Sequence, residues 1–250
     1  MRLATGTALV VFCAAQAVVC PAQSDALQIP PLKSSLTLEG QPVGITVWGT
    51  VSPAPSGSFR LSATVDLGEF QERLTPILAA QLNRSDRCGE RLTVNRAVLA
   101  PAAPASLLTA YVHFERYACA KAFGKEMVKR LVGGDAVVEV NLTPAIAENH
   151  IALTAEVRKI DADGSLGDVL RSGSFGDSIR EKIKTSVESS IQKSANLKSG
   201  LPAGLDDIAT LRTIGFGDGG SGRLWLTIGG EVRMSAEQFQ GLAKQMVSRR

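Results

Sequence analysis

The chain has 250 residues, of which 44% are apolar and 20% charged, and its formal net charge is +3. That apolar fraction excludes wholesale disorder. The 27 Lys and Arg are dispersed among 24 Asp and Glu, with no basic block interleaved with aromatics, so no nucleic-acid partner is indicated.

The first predicted element is an export signal. Met1-Arg2 is a short basic start, residues 3–19 carry no charge, and Cys20-Pro21-Ala22 offers small residues at a cleavage site. A signal peptide over 1–22 places cleavage near Ala22–Gln23, with Ser24–Asp25 as the second choice. A retained anchor is the rival, since a run of about 17 residues meets the lower limit for a span. Val19 before Cys20 argues against lipidation. The chain is therefore expected to be exported and periplasmic, or membrane-associated if the segment stays. Cys13 and Cys20 leave with the signal. The remaining pair, Cys88 and Cys119, reads as a disulfide in an oxidising compartment; two separate buried thiols are the alternative.

Residues 23–33 form a polar, Pro-containing lead-in, expected to be poorly ordered, and 34–250 read as a single domain. Val43, Ile45, Val47 and Val51 share one parity. After the SPAPSGS turn, Phe59, Leu61, Ala63 and Val65 alternate with polar residues. These two runs predict a hairpin. The period then becomes helical at Phe70, Leu74, Ile77, Leu78 and Leu82. Pro76 either kinks this helix or restarts it with Thr75 as cap. Strands return at 90–99 and 107–118 around PAAPA. Pairing Cys88 with Cys119 closes the open end of that hairpin, but it sets even apolar positions of one strand against odd positions of the other. A one-residue bulge, or a diagonal disulfide, is predicted to restore the match.

KEMVKRL (125–131) predicts a short helical patch. A second pass of the same order follows: strand 136–142, a turn at TPAIAENH, strand 150–160, and a Gly/Asp/Ser-rich insertion at 161–177. The strongest helical pattern runs over 177–196. Asp177 or Ser178 caps it, Glu181 completes a capping box, and Ile179, Ile183, Val187 and Ile191 form its stripe. Strands at 208–216 and 223–234, joined by GDGGSG, and a final helix from Ser235 close the chain. The recurring order suggests a pseudo-repeat, although residue identity between the passes is negligible.

Motifs for chemistry are sparse. His113 and His150 have no Cys, Asp or second His at metal-ligand spacing. Asp161-Ala-Asp163-Gly-Ser165 lacks the sixth-position Gly and twelfth-position Glu of a calcium loop. The glycine run 215–220 precedes a strand, not the helix that a phosphate cradle needs. Ser190-Ile-Gln-Lys193 lacks the companion motifs of its class. Asn141-Leu-Thr143 fits a glycosylation sequon. No cofactor, metal or catalytic site is indicated, and the chain is expected not to be an enzyme. An enzyme would need a polar cluster assembled in space, such as His113 meeting an acidic residue.

The order of elements resembles the tubular lipid-binding (TULIP) superfamily over about residues 43–234. The resemblance rests on EFQERLTPILAAQLN before the strands, on IREKIKTSVESSIQKS followed by LPAGL, and on LWLTIGGEVRMS. It implies an α+β fold, with a curved antiparallel sheet wrapped around one or two long amphipathic helices. It implies a lipid-like hydrophobic ligand held between them, without chemistry. The apolar helix positions Leu74, Leu78, Ile183, Val187 and Ile191 would then be the binding residues. A fully packed core, serving a structural or protein-interaction role in the cell envelope, is the alternative.

Overall fold

The structure is a computed structural model, described here for residues 26–54, 57–85, 88–122, 125–171 and 209–233, and for Asp177, Glu181, Thr185 and Ser235. The predicted signal segment 1–22 and the final helix beyond Ser235 lie outside these residues. Of the predicted helix 177–196, only Asp177, Glu181 and Thr185 are described. They are helical and exposed, at the four-residue spacing of one face.

The described chain folds into two five-stranded antiparallel sheets rather than one curved sheet. Sheet A has the order β1 (Leu27–Leu38), β2 (Gln41–Pro53), β3 (Phe59–Asp66), β10 (Leu224–Val232), β9 (Ala209–Asp218). Sheet B is the meander β4 (Arg84–Ser85), β5 (Gly89–Ala102), β6 (Ala105–Ala122), β7 (Lys125–Ala147), β8 (His150–Ala162). Helix α1 (Gly68–Leu82) carries the chain from A to B, and the short α2 (Gly164–Arg171) follows β8. Neither described helix is long enough for a sheet to wrap around. α2 falls inside the Gly/Asp/Ser-rich insertion at 161–177, to which the sequence pattern assigns no element; Leu166, 1% exposed, anchors it to the core.

Three further expectations change. The lead-in is strand from Leu27 onward: Leu27 and Ile29 pack on Val51, Leu61 and Val232. Pro30-Pro31 sits at a register irregularity on this edge strand, where prolines are tolerated. KEMVKRL is extended, because β6 supplies a partner for each of its residues except Leu131, which bulges out. The predicted turn at TPAIAENH shrinks to Glu148-Asn149, whose φ values of 49° and 61° suit a tight two-residue hairpin. Pro144 stays within β7 because β6 pairs only as far as Leu142, so one side of the strand is free of a ladder there.

The hairpin of β5 and β6 contains the predicted bulge. Leu99 opposes Leu108 and Ala97 opposes Ala110, but Val94 opposes Val112, with Asn95 as the extra residue. The shift lets odd positions 97 and 99 and even positions 92 and 94 all join the core cluster. Cys88 and Cys119 are bonded, with Cα atoms 5.7 Å apart. The pseudo-repeat does not survive pairing. In sheet A the second strand of the first hairpin, β3, adjoins β10, whereas in sheet B the first strand, β7, adjoins β6.

Helix α1 runs through Pro76 without a restart. Thr75 does not cap it. Its hydroxyl accepts the Ala97 N–H (2.9 Å) and donates to the Ala97 carbonyl (3.3 Å). Gln71 Nε2 donates to the Leu99 carbonyl (2.7 Å), and Asn83 Oδ1 accepts the Val94 N–H (2.7 Å). The spacing has a simple cause. Four helical residues rise about 6 Å, and two strand residues about 6.7 Å, so a stripe at 71 and 75 matches alternate groups at 99 and 97. Beyond β4, α1 therefore serves as the neighbour that the edge of β5 lacks.

An ion pair fixes the entry to α1. Asp66 Oδ1 accepts the Gly68 N–H (2.9 Å) and Arg223 Nε (2.7 Å), while Oδ2 lies 2.7 Å from Arg223 Nη2. Burial pushes the Asp66 carboxyl up, but the bonds from Arg223 and Gly68 and the Arg223 charge outweigh it and hold the group below its ordinary 3.8. A depressed folded pKa adds stability above the ordinary value, and that stability is lost as pH falls through the folded one. Asp66→Asn is therefore expected to be less stable than the parent at about pH 7, with the gap narrowing as pH falls below 3.8 and through the folded value. Urea unfolding across that range checks this, and an unchanged gap would contradict the assignment.

Candidate functional site

The inner faces of the two sheets and α1 enclose an apolar cleft of about 150 Å³. Strand parity builds it. Leu36 and Leu38 come from β1, Val43 and Ile45 from β2, and Leu224 and Leu226 from β10 on one side. Leu99, Leu108, Leu142, Ile151 and Leu153 come from β5 to β8 on the other. α1 contributes Phe70, Leu74, Ile77 and Leu78. Of nineteen described lining residues eighteen are apolar, so this lining offers an incoming molecule almost no hydrogen bonds. The exception is Gln81, whose amide donates to Glu39 Oε1 (3.0 Å) in the turn between β1 and β2.

The wall is held at several points. Gln71 donates to the Gly222 carbonyl (2.9 Å) and accepts the Leu224 N–H (2.8 Å), while also bonding Leu99 of sheet B. β9 meets two of the hairpin turns of sheet B. The Phe216 N–H donates to the Pro104 carbonyl (2.8 Å), and the Leu211 N–H to Asn149 Oδ1 (2.8 Å).

Leu74 and Leu78 both line the cleft and are 4% and 5% exposed, so they serve the core as well. Ile183, Val187 and Ile191 lie outside the described residues. The strand positions of the wall were missed as candidates. Their signal was present in the parity of Val43 and Ile45, and of Ile151 and Leu153, but parity gives a face without saying what it faces.

His113 does meet acidic groups in space. Its Nδ1 is 2.7 Å from Asp135 Oδ1 and its Nε2 3.7 Å from Glu115 Oε1. Tyr117 OH donates to Glu115 Oε2 (2.9 Å), and Arg130 Nε lies 3.3 Å from Oε1. The Tyr117 bond, opposed by burial and aided by Arg130 and His113, lowers the Glu115 pKa. Both ring nitrogens thus face carboxylates, and the cluster lies on the outer face of sheet B, away from the cleft. Beside the Asn95 bulge, a pocket of about 300 Å³ with mixed walls is bordered by Tyr111, Asp135, Asp161 and Asp163 together with Val112 and Val137. Among the described residues, no group of three or more His, Cys, Asp or Glu is placed to hold a metal ion.

No family model and no curated protein sequence matches the chain. Among solved structures it is similar to a crystal structure of lipopolysaccharide binding protein, at 12% identity and a TM-score of 0.33. The match covers 82% of this chain and 41% of that one, so this chain spans about two-fifths of that protein's length. At that score the likeness carries neither a fold nor a ligand across, and the functional reading stands on the cleft.

Proposed function

We propose that this is an exported, non-catalytic binding or carrier protein of the periplasm, taking a lipid-like or other hydrophobic molecule into the cleft between its sheets. The observation that carries the reading is the lining, apolar at every described position but Gln81. An apolar space of about 150 Å³ excludes water and suits a benzene-sized group or a short alkyl segment. It is smaller than the ~300 Å³ at which drug-sized pockets begin, so a long chain would seat only part of its length here. The polar end of such a ligand would lie toward Gln81 and Glu39. The disulfide is in keeping with an oxidising compartment.

The test is displacement of a fluorescent fatty acid from the purified protein, with native mass spectrometry for co-purifying lipid. Ile151→Trp and Leu153→Trp each add an aromatic side chain to a half-buried lining position, and each is expected to weaken uptake at least about tenfold, the equivalent of 1.4 kcal/mol. An empty protein that takes up no probe would sink the reading. It would favour the alternative of a cell-envelope module that binds another protein.

A further inference from the structure

β6 and β7 outlast their neighbours. β5 begins its pairing at Gly89 opposite Tyr117, and β8 ends at Ala162 opposite Ala136. Among the described residues, 118–122 and 125–131 therefore pair only with each other, as a two-stranded ribbon beyond sheet B. The ribbon is unusual in two independent ways. Met127 is 59% exposed and Leu131 56%, and Val128 is exposed as well. Met127 and Lys129 oppose Ala120 and Ala118, which are too small to cover them, and Leu131 is the extra residue of a bulge. The second feature is charge. Within 118–122 and 125–131 the sequence has Lys121, Lys125, Lys129 and Arg130 against Glu126, a net +3, equal to the net charge of the whole chain. The remainder of the chain sums to zero, and of these cations Arg130 is paired with Glu115 at the ribbon's base.

We infer that the ribbon is a docking arm for the surface of an anionic lipid bilayer. Cations alone would suit any polyanion. Exposed apolar side chains set among them suit the boundary between headgroups and acyl chains, where Lys and Arg meet phosphates and the apolar groups insert. A lone two-stranded ribbon is marginal in water. The Cys88–Cys119 disulfide and the stacking of Arg91 over Tyr117, 4.4 Å from the ring centre, brace its base. Met127 opposes Ala120, twelve residues along β6 from the cleft residue Leu108, or about 40 Å. The arm is a separate site and does not rest on what the cleft binds.

Vesicle flotation with the full chain tests the inference. Binding is expected to vesicles of phosphatidylcholine and phosphatidylglycerol in equal parts, and not to phosphatidylcholine alone. A basic residue near such a surface contributes roughly fivefold in affinity, so Lys121→Glu with Lys129→Glu is expected to weaken binding by well over about tenfold. Lys33→Glu with Arg158→Glu makes the same charge change on exposed positions elsewhere and is expected to leave binding within about twofold. Met127→Ser with Leu131→Ser is expected to weaken binding and leave the remainder fully salt-sensitive. An unchanged melting temperature in each variant excludes misfolding. Absence of wild-type binding, equal loss in the Lys33/Arg158 control, or arm variants that lose a protein partner but keep the vesicles would each overturn the inference.

Discussion

Gln71→Leu is expected to destabilise the protein by about 2–4 kcal/mol, although the residue is polar and only half-buried. The side chain makes three bonds to main chain: to Leu99 in sheet B, and to Gly222 and Leu224 at the start of β10 in sheet A. Leucine keeps the volume and removes all three. The Gly222 carbonyl is exposed and can turn to water. The Leu99 carbonyl and the Leu224 N–H are partly buried, and Leu224 is fully buried as a residue. Stranding such groups costs about 1–3 kcal/mol each. Gln71→Glu should be no better, because a carboxylate can still accept from Leu224 but faces two carbonyls. The measurement is the urea midpoint at constant slope. A loss below about 0.5 kcal/mol, the range of ordinary surface substitutions, would show that the sheets are held together elsewhere.

Replacing both cysteines, Cys88→Ser with Cys119→Ser, is expected to remove about 3–4 kcal/mol, from the loop entropy of a crosslink spanning 31 residues. The loss should also be local. β5 and β6 are paired from Ala97 to Ala110 by a continuous ladder with a buried inner face. Among the described residues, the ribbon beyond Tyr117 has only its own partner strand. Hydrogen exchange should therefore accelerate most in 118–122 and 125–131, while amides near Ala97 and Ala110 should accelerate only by the loss of global stability. Uniform acceleration would place the disulfide's effect on global unfolding alone.

The bulge shows how far local pattern reaches. Cys88, Cys119 and the apolar positions on either side of Pro104 call for an extra residue or a diagonal disulfide, and the ladder has the extra residue, Asn95. The segment 125–131 shows where pattern stops. Met127, Val128 and Leu131 fit a short helical patch as well as a strand, and only the presence of residues 116–122 alongside decides for strand. Thr75 illustrates the same limit. Before Pro76 it reads as a cap, yet its hydroxyl is taken by Ala97, which lies twenty-two residues on.

The sequence by itself determined the periods of most strands and of α1, the two cysteines fit to pair, the choice between a bulge and a diagonal disulfide, and the parity of the residues that face inward. These are properties of neighbours a few positions apart, where backbone geometry repeats every two or 3.6 residues. Tertiary structure alone decided that the strands form two sheets, that β10 joins β3, that α1 shields the edge of β5, and that Leu36, Ile45, Leu142 and Leu153 meet across one cleft. The physical reason is that an apolar face is compatible with many partners. Which partner it takes depends on the burial and hydrogen bonding of the whole chain, and no local window of residues contains that sum.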